Sequence, residues 1–264
     1  MEQMIKAAWR YRYFILSSIK NELRVRFIRS KLGGLWMIIH PLSQVLIFAL
    51  ILSNVLSAKL PGINNKYAYA LYLMAGTLGW SLFAETISRC LTLFIDNGNL
   101  MKKMAFPRIC LPLIAAGSTT VNNLLLMVAI FMVFAALGHI PDVHVLWLPV
   151  LIAINLLLSL GLGLVLGVLN VFMRDLGQVI PVILQITFWL TPVVYNVTMF
   201  PENVRHLFNL NPIYPIVKSY QNVLVFGVEP EWGPLLAIVA ASCLLMLLAL
   251  VMFRKAGPEM VDVL

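Results

Sequence analysis

The chain has 264 residues, of which 61% are hydrophobic and 11% charged, with a formal net charge of +8 and a mean hydropathy of +0.92. Soluble domains carry about 25% charged residues, so too little polar surface is present here to coat a water-soluble globule. The solvent is a bilayer, and a soluble enzyme, a secreted disulfide scaffold and a disordered tail are excluded.

Residues 1–34 hold eight of the 19 Lys and Arg residues. Ile5, Trp9, Tyr13, Leu16, Ile19, Leu23 and Phe27 recur at steps of three and four, with Lys6, Arg10, Asn21 and Arg24 elsewhere around the helix. The spacing predicts an amphipathic helix lying in the cytoplasmic interface, either as a surface anchor or as a docking face for a cytoplasmic partner. The first long apolar run exceeds the apolar core of a cleavable signal peptide, so the chain is expected to insert through its own spans.

A helix needs about 20 mainly apolar residues to cross about 30 Å of hydrocarbon. Six segments qualify: Leu35–Leu56, Tyr69–Ile95, Ile109–Leu137, Leu146–Phe172, Val179–Val197 and Leu235–Phe253. Fourteen Lys and Arg residues fall on the side of both termini and only Lys59, Lys66, Arg205 and Lys218 on the other, so the positive-inside rule places both termini in the cytoplasm. This placement also accounts for the basic charge without a nucleic-acid partner.

Inside the second span, Glu85 and Arg89 stand four residues apart with the acid first, the favourable order for a helical pair. They are expected either as a structural pair with a snorkelling arginine or as part of the translocation path or a subunit interface. The connection Asp96–Arg108 reads as an Asn/Gly turn, one or two amphipathic helical turns and a proline stop. In the fourth span Ser159, Gly163 and Gly167 form a ladder of small residues that lets another backbone approach, from the same chain or from a second copy. A second short connection, Met173–Gln178, follows.

Between Thr198 and Gly233 the chain is half apolar and broken by Asn211-Pro212 and Tyr214-Pro215, a pattern expected of a re-entrant outer segment, because non-helical backbone survives at membrane depth only when buried in protein or lining a cavity. The fold class expected is therefore all-α. One polytopic membrane domain spans residues 1–264, with an interface helix over 1–34, six spans over 35–253, a re-entrant segment between the fifth and sixth, and a cytoplasmic tail over 254–264.

No GxxxxGK[ST], GxGxxG or HExxH sequence occurs, so the chain is not expected to hydrolyse ATP or to hold a cofactor. Cys90, Cys110 and Cys243 show no paired spacing, and His40, His139, His144 and His206 lack ligand-spaced neighbours, which argues against disulfides and metal. Aromatic rings at Trp36, Phe48, Trp80, Phe83, Phe188, Trp189, Tyr195, Tyr214 and Tyr220 would suit interfacial belts, or a smooth path along which a glycan slides by stacking.

Four stretches carry a family resemblance. They are Arg24-Val25-Arg26-Phe27 followed by Lys31–Trp36 and His40-Pro41-Leu42; Asn99–Lys103 with Phe106-Pro107; Phe172–Leu176; and Asn211-Pro212 with Tyr214-Pro215. In this order, over almost the whole chain, the sequence resembles the membrane subunits of ABC transporters that export lipid-linked polysaccharides, the O-antigen permeases above the capsule and teichoic acid exporters. The resemblance implies a homodimer in the bacterial inner membrane, joined to two copies of a separate ATPase that holds ATP and Mg, exporting a glycan on undecaprenyl diphosphate. It implies that the N-terminal helix and the loop bearing Asn97, Leu100, Met101, Lys102, Lys103 and Phe106 meet the ATPase, that Arg174 and Asp175 lie in a second cytoplasmic connection, and that residues 198–226 help close the outer end. Arg24, Arg26, Arg29 and Lys31 would then sit at a cytoplasmic mouth able to attract a diphosphate headgroup, or serve only to orient the chain. A small-molecule exporter would instead need a bounded pocket. An enzyme acting on polyprenyl lipids would need clustered acids or histidines.

Overall fold

The computed structural model describes residues 9–28, 68–103 and 109–263, with Lys6, Ile39 and Ser43 besides. Among them every regular element is helical: α1 (Arg12–Ile28), α2 (Ala68–Asp96), α3 (Gly98–Lys103), α4 (Cys110–Ala136), α5 (Leu148–Phe172), α6 (Leu176–Leu190), α7 (Tyr214–Gln221) and α8 (Trp232–Val263). Short helical turns fill Val143–Trp147 and 197–210, and a π-turn covers Asn222–Phe226. Apart from Ile39 and Ser43, the first expected span lies outside the described residues.

Among the described residues, four helices are long and apolar enough to cross a membrane: α2, α4, α5 with its leading turn, and α8 up to Gly257. They match the second, third, fourth and sixth expected spans. The fifth differs. Its helix, α6, has 15 residues and stops at Leu190, which at 1.5 Å per residue covers about 22 Å. The stop is local: Thr191 precedes Pro192, whose ring disfavours helical backbone at the residue before it, and Thr191 is extended at φ −99°, ψ 131°.

α5 is the central helix, with α2 along one side and α8 along the other. The small-residue ladder makes this possible within one chain. A Cβ on Gly163 would lie 2.7 Å from Cys90 Cβ, and one on Gly167 would collide with the Cys90 carbonyl oxygen; Gly161 faces Ser242 and Leu245 of α8. Of the two uses open to that ladder, the structure places it between α5 and α2.

Without a hydrophobic drive between helices in lipid, packing and hydrogen bonds hold such a bundle. Three asparagines supply the bonds. Asn123 of α4 donates to the Leu78 carbonyl (2.9 Å), and Asn155 and Asn170 of α5 donate to those of Gly79 and Leu91 (2.8 Å each). All three acceptors lie on α2.

At one end of the bundle stand α3 and the α5–α6 connection. At the other, α4 closes with Gly138 in the left-handed region (φ 75°), His139 N–H donating to the Phe134 carbonyl and Gly138 N–H to that of Ala135, a Schellman ending. There the segment 191–231 folds over the start of α2. Tyr72 donates from its hydroxyl to the Pro192 and Tyr195 carbonyls (3.2 Å each), Tyr69 bonds the Val194 carbonyl, and the Tyr220 ring lies where a Cβ on Gly79 would need to be.

Candidate functional site

At the α3 end, the turn after α2 and α3 itself, expected to face a cytoplasmic partner, form a short, braced element. Asn97 terminates α2 by donating from its side chain to the Leu93 carbonyl (2.8 Å), and its own carbonyl accepts from Met101 N–H (2.9 Å), so the turn into α3 is tied from both sides. α3 turns Lys102 outward and Met101 inward. Met101 and Leu100 pack into an apolar cluster with Phe94, Leu111 and the fully buried Met260. Met260 belongs to α8, which continues as helix past Lys255 to Val263 and reaches α3. The expected tail thus includes a helical brace for α3, a role no spacing within 254–264 announced. Lys103 lies in α3 with its side chain undescribed, and Phe106 lies outside the described residues. Arg174 and Asp175 are exposed in a connection of only three residues, 173–175, between α5 and α6.

The Glu85–Arg89 pair is one part of a larger cluster. Arg89 Nη1 lies 2.7 Å from Glu22 Oε2 and Arg89 Nε 3.7 Å from Glu85 Oε1. Glu22 also accepts from the Ser118 hydroxyl (2.6 Å) and Glu85 from Asn122 Nδ2 (2.5 Å). Side-chain exposures of 19% for Arg89, 33% for Glu85 and 40% for Glu22 make it a half-buried network. It joins α1, α2 and α4 through one guanidinium. Glu22 was not singled out in the sequence, where it stands 67 residues from Arg89.

α1 meets α4 through Ile19, whose Cδ1 occupies the space a Cβ on Gly117 would need, and through Glu22. Ile19 belongs to the expected apolar stripe, of which Trp9, Tyr13 and Leu16 remain exposed. The Arg12 guanidinium lies over the rings of Trp9 and Tyr13, 5.0 and 4.6 Å from their centroids. Of the basic residues expected at a cytoplasmic mouth, Arg24 is exposed on α1, Arg26 lies in α1 with its side chain undescribed, and Arg29 and Lys31 lie outside the described residues.

The nine candidate path aromatics separate into groups. Trp36 and Phe48 are outside the described residues. Trp80, Phe83 and Phe188 are buried together, Trp80 lying 5.7 Å from Phe83 and 5.5 Å from Phe188 between ring centroids, and Tyr220 is fully enclosed. These four pack into the apolar core of the chain. Trp189 is exposed on α6 and Tyr195 half-buried, its hydroxyl donating to the Trp189 carbonyl (2.8 Å). Tyr214 is buried but lines a cavity at the end opposite α3. No group of three or more His, Cys, Asp or Glu residues able to hold a metal occurs among the described residues.

An apolar bundle with a short braced element at one end and a broken, folded-over segment at the other has the parts of a transport subunit. The chain belongs to the ABC-2 type transporter family, whose match covers residues 13–225. It is 28% identical to the O-antigen export system permease protein RfbA of Myxococcus xanthus over 264 residues, 99% of both chains. It is 27% identical to a protein of the same name from Klebsiella pneumoniae over 96% of both chains, and 20% identical to the polysialic acid transport protein KpsM of Escherichia coli over 91% of this chain and 92% of the other.

Proposed function

We propose that this chain is the membrane permease of an ABC transporter that exports undecaprenyl-diphosphate-linked O-antigen across the bacterial inner membrane. The likeness to two O-antigen export permeases over nearly the full length of each chain carries this reading. Two copies of the chain form the passage, and two copies of a separate ATPase, which hold ATP and Mg, drive it. Both termini, α3 and the 173–175 connection face the cytoplasm, as the charge asymmetry requires. Residues 35–56 form the first span, and α6 with the stretch after Leu190 forms the fifth, so six spans cross the membrane and 198–226 re-enters from outside. α3 and the N-terminal helix take up the motion of the ATPase, and Trp189 and Tyr195 offer stacking surface to the glycan.

Export of a capsule-type polymer is the second reading, favoured by the more distant likeness to the polysialic acid transport protein. Deleting the gene and quantifying surface glycan together with the polyprenyl-diphosphate-linked pool decides between the possibilities. Loss of surface O-antigen with full-length lipid-linked chains accumulating inside is expected. Loss of capsule instead favours the second reading, and short accumulated chains or no change in either pool would overturn both.

A further inference from the structure

At the end opposite α3, a cavity of about 430 Å³ lies among α7, the π-turn, the start of α2 and the turns of 196–205, within the range of small-molecule sites, about 300–1,000 Å³. Tyr72, Asn196, Arg205, Tyr214, Lys218 and Asn222 line it. Two cations from separate elements thus face one space whose remaining polar lining consists of hydroxyls and amides. Arg205 is oriented by its Nε–H, which donates to the Phe200 carbonyl (2.9 Å). Each cation has a carboxylate beside it. Lys218 Nζ lies 2.5 Å from Glu231 Oε1, with side chains 37% and 50% exposed, and Arg205 Nη1 lies 4.0 Å from Glu202 Oε1, whose side chain is 93% exposed. Exposed pairs of this kind are weak. An entering anion with several oxygens competes well for both cations, because charge-assisted bonds are the stronger ones and a second anchor adds little further ordering cost.

We infer that this cavity receives an anionic, oxygen-rich group, held between Arg205 and Lys218 with the Tyr214 hydroxyl as a neutral donor. That the group belongs to the exported molecule, as the phosphate of its lipid diphosphate or the carboxylate of an acidic sugar, rests on the function proposed above. Anion binding in the cavity does not rest on it.

The test uses the full-length chain, reconstituted with its ATPase in nanodiscs, and titrates inorganic pyrophosphate, galacturonate and glucose by calorimetry. Pyrophosphate or galacturonate is expected to bind saturably and glucose not; the tighter anion tells phosphate from sugar carboxylate. Arg205→Gln and Lys218→Gln should each weaken binding about tenfold, the scale of one hydrogen bond to a charged group. Glu231→Gln should tighten binding several-fold by removing the internal competitor of Lys218, a gain that misfolding cannot produce. Saturation by neither anion, glucose binding as well as the anions, or affinity indifferent to all three substitutions would overturn the assignment. If gene deletion blocks O-antigen export while the three variants bind like wild type, the cavity assignment fails and the export reading stands; the reverse pattern separates them the other way.

Discussion

Arg89 lies between Glu22 and Glu85 and pairs with both, and its removal takes the shared cation away from two carboxylates that also accept from the Ser118 hydroxyl and the Asn122 amide. Stranding such groups costs about 1–3 kcal/mol, and the partial exposure of all three side chains keeps the figure below that of a deeply buried pair. Arg89→Ala is therefore expected to lower the thermal unfolding midpoint, and adding Glu22→Gln should restore part of the loss by removing the repulsion. Failure of the second change to restore anything would show that the two carboxylates do not interact. Half of this cluster was legible in the sequence, because Glu85 and Arg89 share a helix and their spacing announces a pair. Glu22 was not, since a contact between separate helices leaves no periodic trace. The aromatics were not separable for a different reason: in a membrane chain a ring that faces lipid, one that lines a path and one buried between helices are equally apolar in the sequence, and packing is what distinguishes the buried Trp80, Phe83 and Phe188 from the exposed Trp189.

Among the elements, α3 matters most because it is only six residues long and too short to hold its shape alone. Its inward side rests on Met260 through Met101 and Leu100. Met260→Asp should release α3 while leaving the spans intact, so ATPase stimulation in the reconstituted complex should fall several-fold as the unfolding midpoint of the membrane bundle changes little. Normal stimulation would mean that α3 needs no brace from α8. The four long helices were readable from apolar length alone, which is the constraint lipid imposes most strongly. The end of α6 was readable only in part. Pro192 sits inside an apolar run that continues to Val197, and hydropathy cannot see that the residue before a proline turns away from helix. The helical continuation of α8 was equally hidden, because Met260, which joins the cluster with Leu100 and Met101, lies beyond the apolar run.

For the whole molecule, the distribution of Lys and Arg and the positions of the two ends give a testable arrangement. Cysteines placed at Lys102 and Arg174 should react with a membrane-impermeant maleimide only after the inner membrane is opened, whereas one placed at Asn196 should react in intact spheroplasts. Labelling of Arg174→Cys from outside would reverse the orientation. The native Cys90 and Cys110 are buried and Cys243 is exposed on the apolar α8, so the assay is best run with Cys243→Ser.

The three asparagine bonds onto α2 also limit how the bundle can move. An amide reaches a backbone carbonyl at one height only, and slip by a single helical turn, about 5.4 Å, would break the bond. Asn123, Asn155 and Asn170 grip α2 at Leu78, Gly79 and Leu91, so sliding must fail at two levels of the helix at once and each freed amide would be stranded in hydrocarbon. α2, α4 and α5 are pinned in register and travel as one block. α6, a half-length helix with most of its surface uncovered, is joined to α5 by only three residues, so it has no slack with which to lag behind that block.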